Sequence, residues 1–256
     1  MMVICPQAKV MQITSAILRR EFDRMNKLLV FDLDGTLCPD DKPMKFEDVE
    51  ALRNLEREGF KIAVCSGKPV HYLCGFMRQV GLEEPILAGE NGGIIQFGIV
   101  MPCERVYHYP VSDEANRQLA AVKNCIDALI AEKFASGDVW FQPNEVEVTP
   151  FVKEASMLDD IAGAIGKLDL SSINVYRFSD CFDFIPDNIS KGNCLKYLAS
   201  LLEMDCADTI AFGDAGNDVS MFDAAGVSVK IGRGLEYEAD YCFDTISEAL
   251  AQVRAM

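Results

Sequence analysis

The fold is decided by residues 28–37, which read Leu28-Leu29-Val30-Phe31-Asp32-Leu33-Asp34-Gly35-Thr36-Leu37. The first four residues form a short apolar run, which is typical of a buried strand in a parallel sheet. Two carboxylates, Asp32 and Asp34, follow where that strand gives way to a glycine turn. Ligands of open α/β sheets bind beyond the carboxyl ends of the strands, so this position favours chemistry. The alternative is a solvated strand end in which an aspartate bonds to its own backbone.

Length and charge restrict what the chain binds. Its 256 residues are 50% hydrophobic and 25% charged, as in an ordinary globular protein of one large domain or two modest ones. No apolar run approaches the ~18 residues of a membrane span, so no membrane partner is expected. The net charge of −16 repels polyanions, which argues against nucleic acid as a partner. An anionic substrate would therefore need a metal ion or a well-placed lysine.

The cysteines and the N-terminal segment give two further expectations. Ten cysteines include no Cys-x-x-Cys pair and are accompanied by two histidines, so zinc-site spacing is absent and a reducing, cytoplasmic location is predicted. Residues 1–24 precede the first strand as an extension. Two interpretations stay open for it: a natural start at Met25, or an accessory helix around Ile13–Phe22.

Strand and helix patterns alternate in two separate parts of the chain. Short connections between such elements predict right-handed βαβ units and a parallel sheet. The first part contains a helix from Phe46 to Gly59, strands at Phe60–Cys65 and Ile86–Ala88, and a helix at Val70–Val80. The second contains a helix after Ser190 and strands at Thr209–Phe212, Val227–Ile231 and Tyr241–Phe243. We therefore expect an α/β, Rossmann-like core built from residues 25–92 and 187–256.

Residues 93–186 interrupt this rhythm. Strands at hairpin spacing (Gly92–Phe97 and Val100–Val111) precede a long amphipathic helix whose apolar stripe includes Leu119, Val122 and Ile126. Further strands and a shorter helix follow. The pattern predicts an inserted α+β domain with an antiparallel sheet, and the alternative is a decoration without a role in the chemistry.

Polar residues end four of the predicted core strands. They are Asp32 with Asp34, then Ser66, then Asn91, and finally Asp214 with Asn217 and Asp218, while Lys191 opens the helix before the last strand. If these strands are neighbours, the side chains meet in one crevice. Clustered carboxylates repel one another, so an all-oxygen group of this kind calls for a hard cation such as Mg²⁺. A hydroxyl and an ammonium beside that cation form a cradle for a phosphate.

This set of motifs resembles the haloacid dehalogenase-like phosphohydrolases, in particular the Cof-type sugar-phosphatase branch (subfamily IIB). The resemblance covers residues 27–256, and its four motifs are Asp32-Leu33-Asp34-Gly35-Thr36, Ser66-Gly67, Lys191, and Gly213-Asp214-x-x-Asn217-Asp218. Asn91-Gly92-Gly93 is similar to a glycine-rich turn of the same branch. The resemblance implies a Rossmann-like core with the large α/β cap type inserted after the third strand.

The resemblance also implies a role for each motif residue. Asp32 would be the nucleophile, and Asp34 would protonate the leaving alcohol and then activate water. The phosphate-binding residues would be Ser66, Gly67, Asn91, Lys191 and Asn217. The magnesium site would comprise Asp32, Asp34, Asp214 and Asp218, with Asp34 contributing its backbone carbonyl and Asp218 acting through a metal-bound water. Asn217 and Asp218 would also position Lys191.

The activity so implied is a magnesium-dependent phosphomonoesterase that acts on a small phosphorylated metabolite, by default a sugar phosphate, through an aspartyl-phosphate. Two alternatives are a phosphomutase of the same superfamily and a non-catalytic protein that binds a phosphorylated ligand. The fourth motif is compact, whereas that of the related mutases is longer and contains proline. The insert's candidates for contact with the leaving group of the substrate are Arg105, Trp140 and Arg177.

Overall fold

The computed structural model of the protein describes residues 27–39, 42–100 and 103–253. The N-terminal extension, with both of its interpretations, lies outside these ranges. The first part of the core contains β1 (Leu28–Phe31), α1 (Phe46–Arg57), β2 (Lys61–Cys65), α2 (Val70–Val80) and β3 (Ile86–Gly89). The last part contains α5 (Lys191–Leu201), β10 (Thr209–Gly213), α6 (Val219–Ala224), β11 (Val227–Ile231), β12 (Tyr241–Phe243) and α7 (Ile246–Gln252). Helix α2 has the bounds predicted from the sequence.

One eight-stranded sheet organises the core, in the order β12-β11-β10-β1-β2-β3-β4-β5, where β4 is Ile94–Phe97 and β5 is Val106–His108. The first six strands in this order are parallel, as an α/β Rossmann-like fold requires. Phe31 of β1 is in register with Phe212 of β10 and Val64 of β2. The residues that follow these three strands therefore leave the sheet at the same edge.

Helices cover both faces of this sheet. Alternate residues of β1 point to opposite sides, so that Leu29 and Phe31 pack in one cluster and Leu28 and Val30 in the other. The first cluster includes residues of α1, α2 and α7, and the second includes residues of α5 and α6. Burial on both faces explains the continuous apolar run at the start of the motif.

Strands β4 and β5 lie elsewhere than the sequence pattern suggests. The pattern places them in the insert, but β4 pairs antiparallel with β3, and β5 pairs antiparallel with β4, so both extend the core sheet. Hairpin spacing indicates that two strands pair with each other, but it does not indicate which sheet they join. Their predicted ranges are also too long, since Val100–Val111 reduces to the short β5. The division into a core and an insert at residues 93 and 186 remains a prediction.

The rest of the insert has a hydrophobic core of its own. It contains α3 (Asp113–Lys133), β6 (Val139–Phe141), β7 (Pro150–Val152), α4 (Met157–Ile165), β8 (Ile173–Arg177) and β9 (Phe182–Pro186). Strands β6–β7 and β8–β9 form antiparallel pairs, and the stripe of α3 packs on them. No helix in the described ranges is both long and apolar enough to cross a bilayer.

Candidate active site

Backbone hydrogen bonds gather four chain segments at one edge of the core sheet. The amide of Asp32 donates to the carbonyl of Phe212, at 2.9 Å, which ties the exit of β1 to β10. The amide of Ser66 donates to Ala88, and the amide of Asn91 donates to Ser66, each at 2.9 Å. The four chain segments that carry Asp32, Ser66, Asn91 and the Asp214 turn therefore lie at the same edge of the sheet.

Lys191 lies at the centre of this crevice. It opens α5, whose N-cap Ser190 accepts a hydrogen bond from the amide of Asn193. Its Nζ lies 2.5 Å from Oδ1 of Asp32 and 2.6 Å from Oδ1 of Asp218. The Lys191 side chain is 1% exposed, so one buried ammonium is shared by two buried carboxylates.

Asp218 also shapes the turn that carries Asp214. Its second carboxylate oxygen, Oδ2, accepts hydrogen bonds from the amides of Asp214 and Ala215, each at 3.0 Å. Both oxygens of Asp218 thus have partners within the protein. This arrangement suits a residue that positions Lys191 and the Asp214 turn.

The first and fourth motifs contact each other directly. The hydroxyl of Thr36 donates to Oδ1 of Asp214 at 2.5 Å. Gly35 has φ of +83°, and a Cβ there would come within 2.4 Å of the Asp214 carboxylate. The glycine of the first motif is therefore required both by its backbone conformation and by the close approach of Asp214.

Carboxylate oxygens of Asp32, Asp214 and Asp218 lie within 4.8 Å of one another. Three oxygen donors at this separation fit a hard divalent cation such as Mg²⁺. The side chain of Asp34 is not part of this group. The resemblance assigns the backbone carbonyl of Asp34 to the metal, and that role stays a prediction.

Burial and charge change the ionisation of the central pair. Burial and the neighbouring charge of Asp218 raise the pKa of Asp32 to about 7, against the opposing effect of Lys191. Burial disfavours the ammonium of Lys191, but the charges of Asp32 and Asp218 outweigh it and raise the Lys191 pKa above its ordinary value. The ammonium of Lys191 therefore keeps its charge in the crevice. A metal ion bound nearby would add a second positive charge and favour the ionised form of Asp32.

Asp34 projects from a small closed loop. The amide of Gly35 donates to the carbonyl of Cys38, and the amide of Cys38 donates to that of Leu33, each at 2.8 Å. The Asp34 side chain is 43% exposed, and its Oδ2 lies 3.7 Å from Nζ of Lys68. Partial exposure suits a group that exchanges a proton with a substrate and with water.

The predicted phosphate-binding residues are only partly brought together. Ser66 is buried beside Asp32 at the neighbouring strand end, and its Oγ accepts a hydrogen bond from the amide of Lys68 at 3.2 Å. Asn91 lies next to Gly67, but its Nδ2 donates to Oε2 of Glu147 in the insert, at 3.1 Å. Asn217 is exposed in the short turn before α6.

A buried polar contact joins the insert to the core, and sequence reasoning missed it. The carboxylate of Glu90 accepts hydrogen bonds from the amides of Glu145 and Val146, and Nε2 of Gln142 donates to the carbonyl of Gly67. Glu90 and Asn91 both have φ near +54°. Such left-handed non-glycine residues persist where their surroundings hold them. The one indication of this contact in the sequence is the acidic residue Glu90, which directly precedes the Asn91-Gly92-Gly93 turn.

The three candidates for contact with the leaving group have partners within the protein. The guanidinium of Arg105 lies over the ring of Phe97, at 4.1 Å, on the extension of the core sheet. Arg177 forms an ion pair with Asp159, at 2.7 Å. Trp140 is half exposed and stacks on Phe151. Among the described residues, these contacts direct the three side chains to partners other than the motif residues.

The chain is similar to proteins of one hydrolase family. The family model for haloacid dehalogenase-like hydrolases matches residues 29–123 and 141–242. The chain is 25% identical to a phosphoglycolate phosphatase of Halobacterium salinarum over 226 residues, which cover 88% of this chain and 93% of that protein.

Solved structures show the same fold. A haloacid dehalogenase-like hydrolase from Bacteroides thetaiotaomicron superposes with a TM-score of 0.69 at 22% identity, over 89% of this chain and 99% of that chain. A subclass IIB sugar phosphatase of the same superfamily superposes with a TM-score of 0.64 at 22% identity, over 90% of this chain and all of that chain.

Proposed function

Because the chain belongs to the haloacid dehalogenase-like hydrolases, we propose that it is a magnesium-dependent phosphomonoesterase that acts on small sugar phosphates through an aspartyl-phosphate. Membership in the family makes the chain a hydrolase, and its curated relatives are phosphatases. The observation that carries the proposal is the buried contact of Lys191 with Asp32 and Asp218, beside Asp214.

In the first step, a carboxylate oxygen of Asp32 attacks the phosphorus atom in line with the leaving oxygen. The new bond joins Asp32 to phosphorus, the ester P–O bond breaks, and Asp34 gives its proton to the departing alkoxide. General acid catalysis of this kind contributes about 10²–10⁴-fold. Asp34 is suited to it, because its side chain is partly exposed and lies outside the carboxylate cluster.

In the second step, water attacks the same phosphorus atom. Asp34 takes a proton from that water, the bond from Asp32 to phosphorus breaks, and inorganic phosphate leaves with Asp32 restored. Lys191 and the hydroxyl of Ser66 hold the phosphoryl oxygens through both steps, and Asp218 keeps Lys191 charged and in place.

Asp32 and Asp214 would hold a magnesium ion, and its positive charge would screen the repulsion between the carboxylate and the phosphate. The family uses this metal, and the three oxygen donors within 4.8 Å fit it. The overall charge of −16 makes such local screening necessary for an anionic substrate.

We propose that the insert acts as a cap that contacts the leaving group. Supporting this, Gln142 reaches the carbonyl of Gly67, and Glu147 reaches Asn91. A cap that closes on the site excludes water and adds contacts to the substrate. We also propose a cytoplasmic location, since the spacing of the ten cysteines fits a reducing compartment.

The test is release of inorganic phosphate from p-nitrophenyl phosphate with Mg²⁺ by the wild-type protein, Asp32→Asn and Asp208→Asn. An asparagine side chain has the shape of aspartate but cannot attack, so turnover of Asp32→Asn should fall roughly 10³-fold or more while the protein remains folded. Asp208 is exposed before β10, at the end remote from the site, and its variant should match the wild type. A wild-type protein that releases no phosphate, or an Asp32→Asn protein that retains activity, contradicts the proposal.

A further inference from the structure

Backbone hydrogen bonds place the two strand pairs of the insert side by side, in the order β6-β7-β9-β8. The amide of Val148 donates to the carbonyl of Phe184 at 3.1 Å, and the amide of Phe184 donates back to Val148 at 3.0 Å. A bridge between Phe151 and Cys181 continues the same register. We call this arrangement the insert sheet. Residues in register across its four strands lie in rows that cross one of its two faces.

The two faces of the insert sheet differ in what covers them. Val139, Val152, Phe182 and Phe184 pack in the hydrophobic core beneath α3 and α4. Because side chains alternate along a strand, the residues between these four point away from the helices. An aromatic row on this second face contains Trp140, Phe151, Cys181 and Phe178. A polar row beside it contains Gln142, Thr149, Asp183 and Tyr176.

The aromatic row is open on its outer side. Trp140 and Phe178 are 49% and 51% exposed. The ring of Trp140 stacks on Phe151, with 5.9 Å between the ring centroids and 10° between the planes. Tyr176 of the polar row is also half exposed. Contact of large apolar rings with water is unfavourable, so aromatic side chains gathered on one open face mark a surface that binds a ligand.

The polar row connects this face to the active-site motifs. Gln142 lies on the same face as Trp140, two residues further along the strand, and its Nε2 donates to the carbonyl of Gly67 at 3.0 Å. The residue after Gly67 is Lys68, whose Nζ lies 3.7 Å from Oδ2 of Asp34, the proposed proton donor to the leaving group. Same-face neighbours of a strand are about 7 Å apart. Trp140 is therefore one such step from the contact with the second motif, on the face that is turned toward the core.

The polar row also supplies hydrogen-bonding groups beside the aromatic rings. The hydroxyl of Thr149 donates to Oδ1 of Asp183 at 2.8 Å, which orients that carboxyl group. Tyr176 is in register with Asp183 and carries a phenol. Carboxyl and phenol groups form hydrogen bonds with hydroxyls. An apolar wall next to a few fixed polar groups suits a ring that has an apolar face and hydroxyls at its edge.

We propose that the aromatic row is a stacking surface for the leaving group, that Trp140 is its specificity-determining residue, and that it selects phosphate esters of cyclic polyols over esters of open-chain polyols. This role rests on the proposed function. A rigid ring lays its apolar face on an aromatic plane with little loss of internal freedom. An open chain loses rotational freedom when it binds and presents no flat face.

The test compares glucose 6-phosphate, a pyranose, with glucitol 6-phosphate, its open-chain reduced form. Both have an uncharged leaving group of six carbons and a primary ester oxygen. The ratio of kcat/KM in the wild type should favour the cyclic ester by about tenfold, the order of magnitude that a flat ring gains on an aromatic side chain. In Trp140→Ala the ratio should fall to within about threefold through slower hydrolysis of the cyclic ester. Trp140→Phe, which keeps an aromatic plane, should retain most of the preference.

Tyr241→Ala is the matched control, because it also removes an exposed aromatic ring. Tyr241 lies at the start of β12, on the far edge of the core sheet. Its ratio should equal that of the wild type. A wild type that hydrolyses the two esters equally well, or a preference that Trp140→Ala leaves unchanged, overturns the stacking role while the phosphatase activity stands.

A binding measurement separates this role from catalysis. Trp140 is the only tryptophan of the chain, so tryptophan emission reports on this surface directly. In the Asp32→Asn protein with Mg²⁺, glucose 6-phosphate should change that emission and reduce its quenching by acrylamide, whereas glucitol 6-phosphate and inorganic phosphate should do neither. If no ester is hydrolysed but the emission responds in this way, the proposed function fails and the stacking role stands.

Two results of the same measurement overturn the stacking role. The first is an emission that does not respond to glucose 6-phosphate. The second is protection from acrylamide that rises with protein concentration in the absence of any ester, because a second copy of the chain then covers the aromatic row.

Discussion

Nζ of Lys191 lies 2.6 Å from Oδ1 of Asp218, and neither side chain is accessible to solvent. The two residues are 27 positions apart, on either side of β10. Their contact therefore holds the start of α5 against the turn that carries Asp214. A buried ion pair contributes little net stability relative to an apolar pair, but it is costly to break, because one charge is then left without its partner.

Asp218→Asn should lower both the stability and the activity. The substitution replaces an acceptor near Lys191, and near the amides of Asp214 and Ala215, with a group that includes a donor. We expect a loss of about 3 kcal/mol or more in the free energy of unfolding, measured by urea denaturation.

The surface pair Lys123–Asp127 gives the control for that loss. Its side chains are about half exposed and lie four residues apart on α3, so Asp127→Asn should cost about 0.5 kcal/mol or less. Equal losses in the two variants would show that the Lys191–Asp218 contact does not organise the site.

Removal of divalent metal should abolish turnover without unfolding the protein. Mg²⁺ should restore turnover, and excess Ca²⁺ should inhibit, because Ca²⁺ accepts looser and higher coordination and would misalign the in-line attack. The readout is phosphate release after chelation and after each addition. Mg²⁺ should also raise the melting temperature of the wild type more than that of Asp214→Asn, since the variant lacks one oxygen ligand. Full activity in chelator, or activation by zinc alone, would contradict this prediction.

The sequence predicted the core because its motifs are local. An apolar run followed by Asp32, or by Ser66, specifies both a buried strand and the polar residue at its end. The register of β10, β1 and β2 then brings those residues together. The family model confirms the resemblance that these motifs carried.

The insert could not be predicted to the same depth, because its contacts with the core are distant in sequence. Asn91 and Glu147 are 56 residues apart, and no spacing rule relates them. The motif pattern accordingly assigns Asn91 to phosphate, whereas its Nδ2 donates to Glu147. Arg105 and Arg177 are natural candidates by their charge, but the packing of Phe97 and the ion pair with Asp159 engage their guanidinium groups.

Glu147 should make the stability of the fold depend on pH. Its pKa is raised in the folded state, chiefly by burial, so the folded protein binds more protons than the unfolded chain above about pH 4.5. Stability therefore falls as pH rises through the window between the unfolded and folded pKa values. Glu147→Gln should gain stability relative to the wild type across that window, by up to about 1.4 kcal/mol per pH unit.

The measurement is urea denaturation of wild type, Glu147→Gln and Glu154→Gln at pH values from about 5 to 8, which span the region above the unfolded Glu pKa. Glu154 is an exposed residue shortly after β7 of the insert. The free energy of unfolding of its variant should equal that of the wild type at every pH. A Glu147→Gln curve parallel to the wild type would show that the buried carboxyl does not change its protonation on folding.

Gly92→Ala should damage the site through a steric clash as well as through the backbone. Gly92 has φ of +94°, and a Cβ there would lie 2.1 Å from Cβ of Cys194 on α5, one turn beyond Lys191. Gly98 has a similar φ of +83°, but a Cβ there meets nothing within 4 Å. Gly98→Ala should therefore cost only the left-handed backbone, about 1–2 kcal/mol, and keep its phosphatase activity. Gly92→Ala should cost clearly more in urea denaturation and lose activity, because α5 must move and carries Lys191 with it. If the two variants lose equal stability and both remain active, the packing of Gly92 against α5 does not position Lys191.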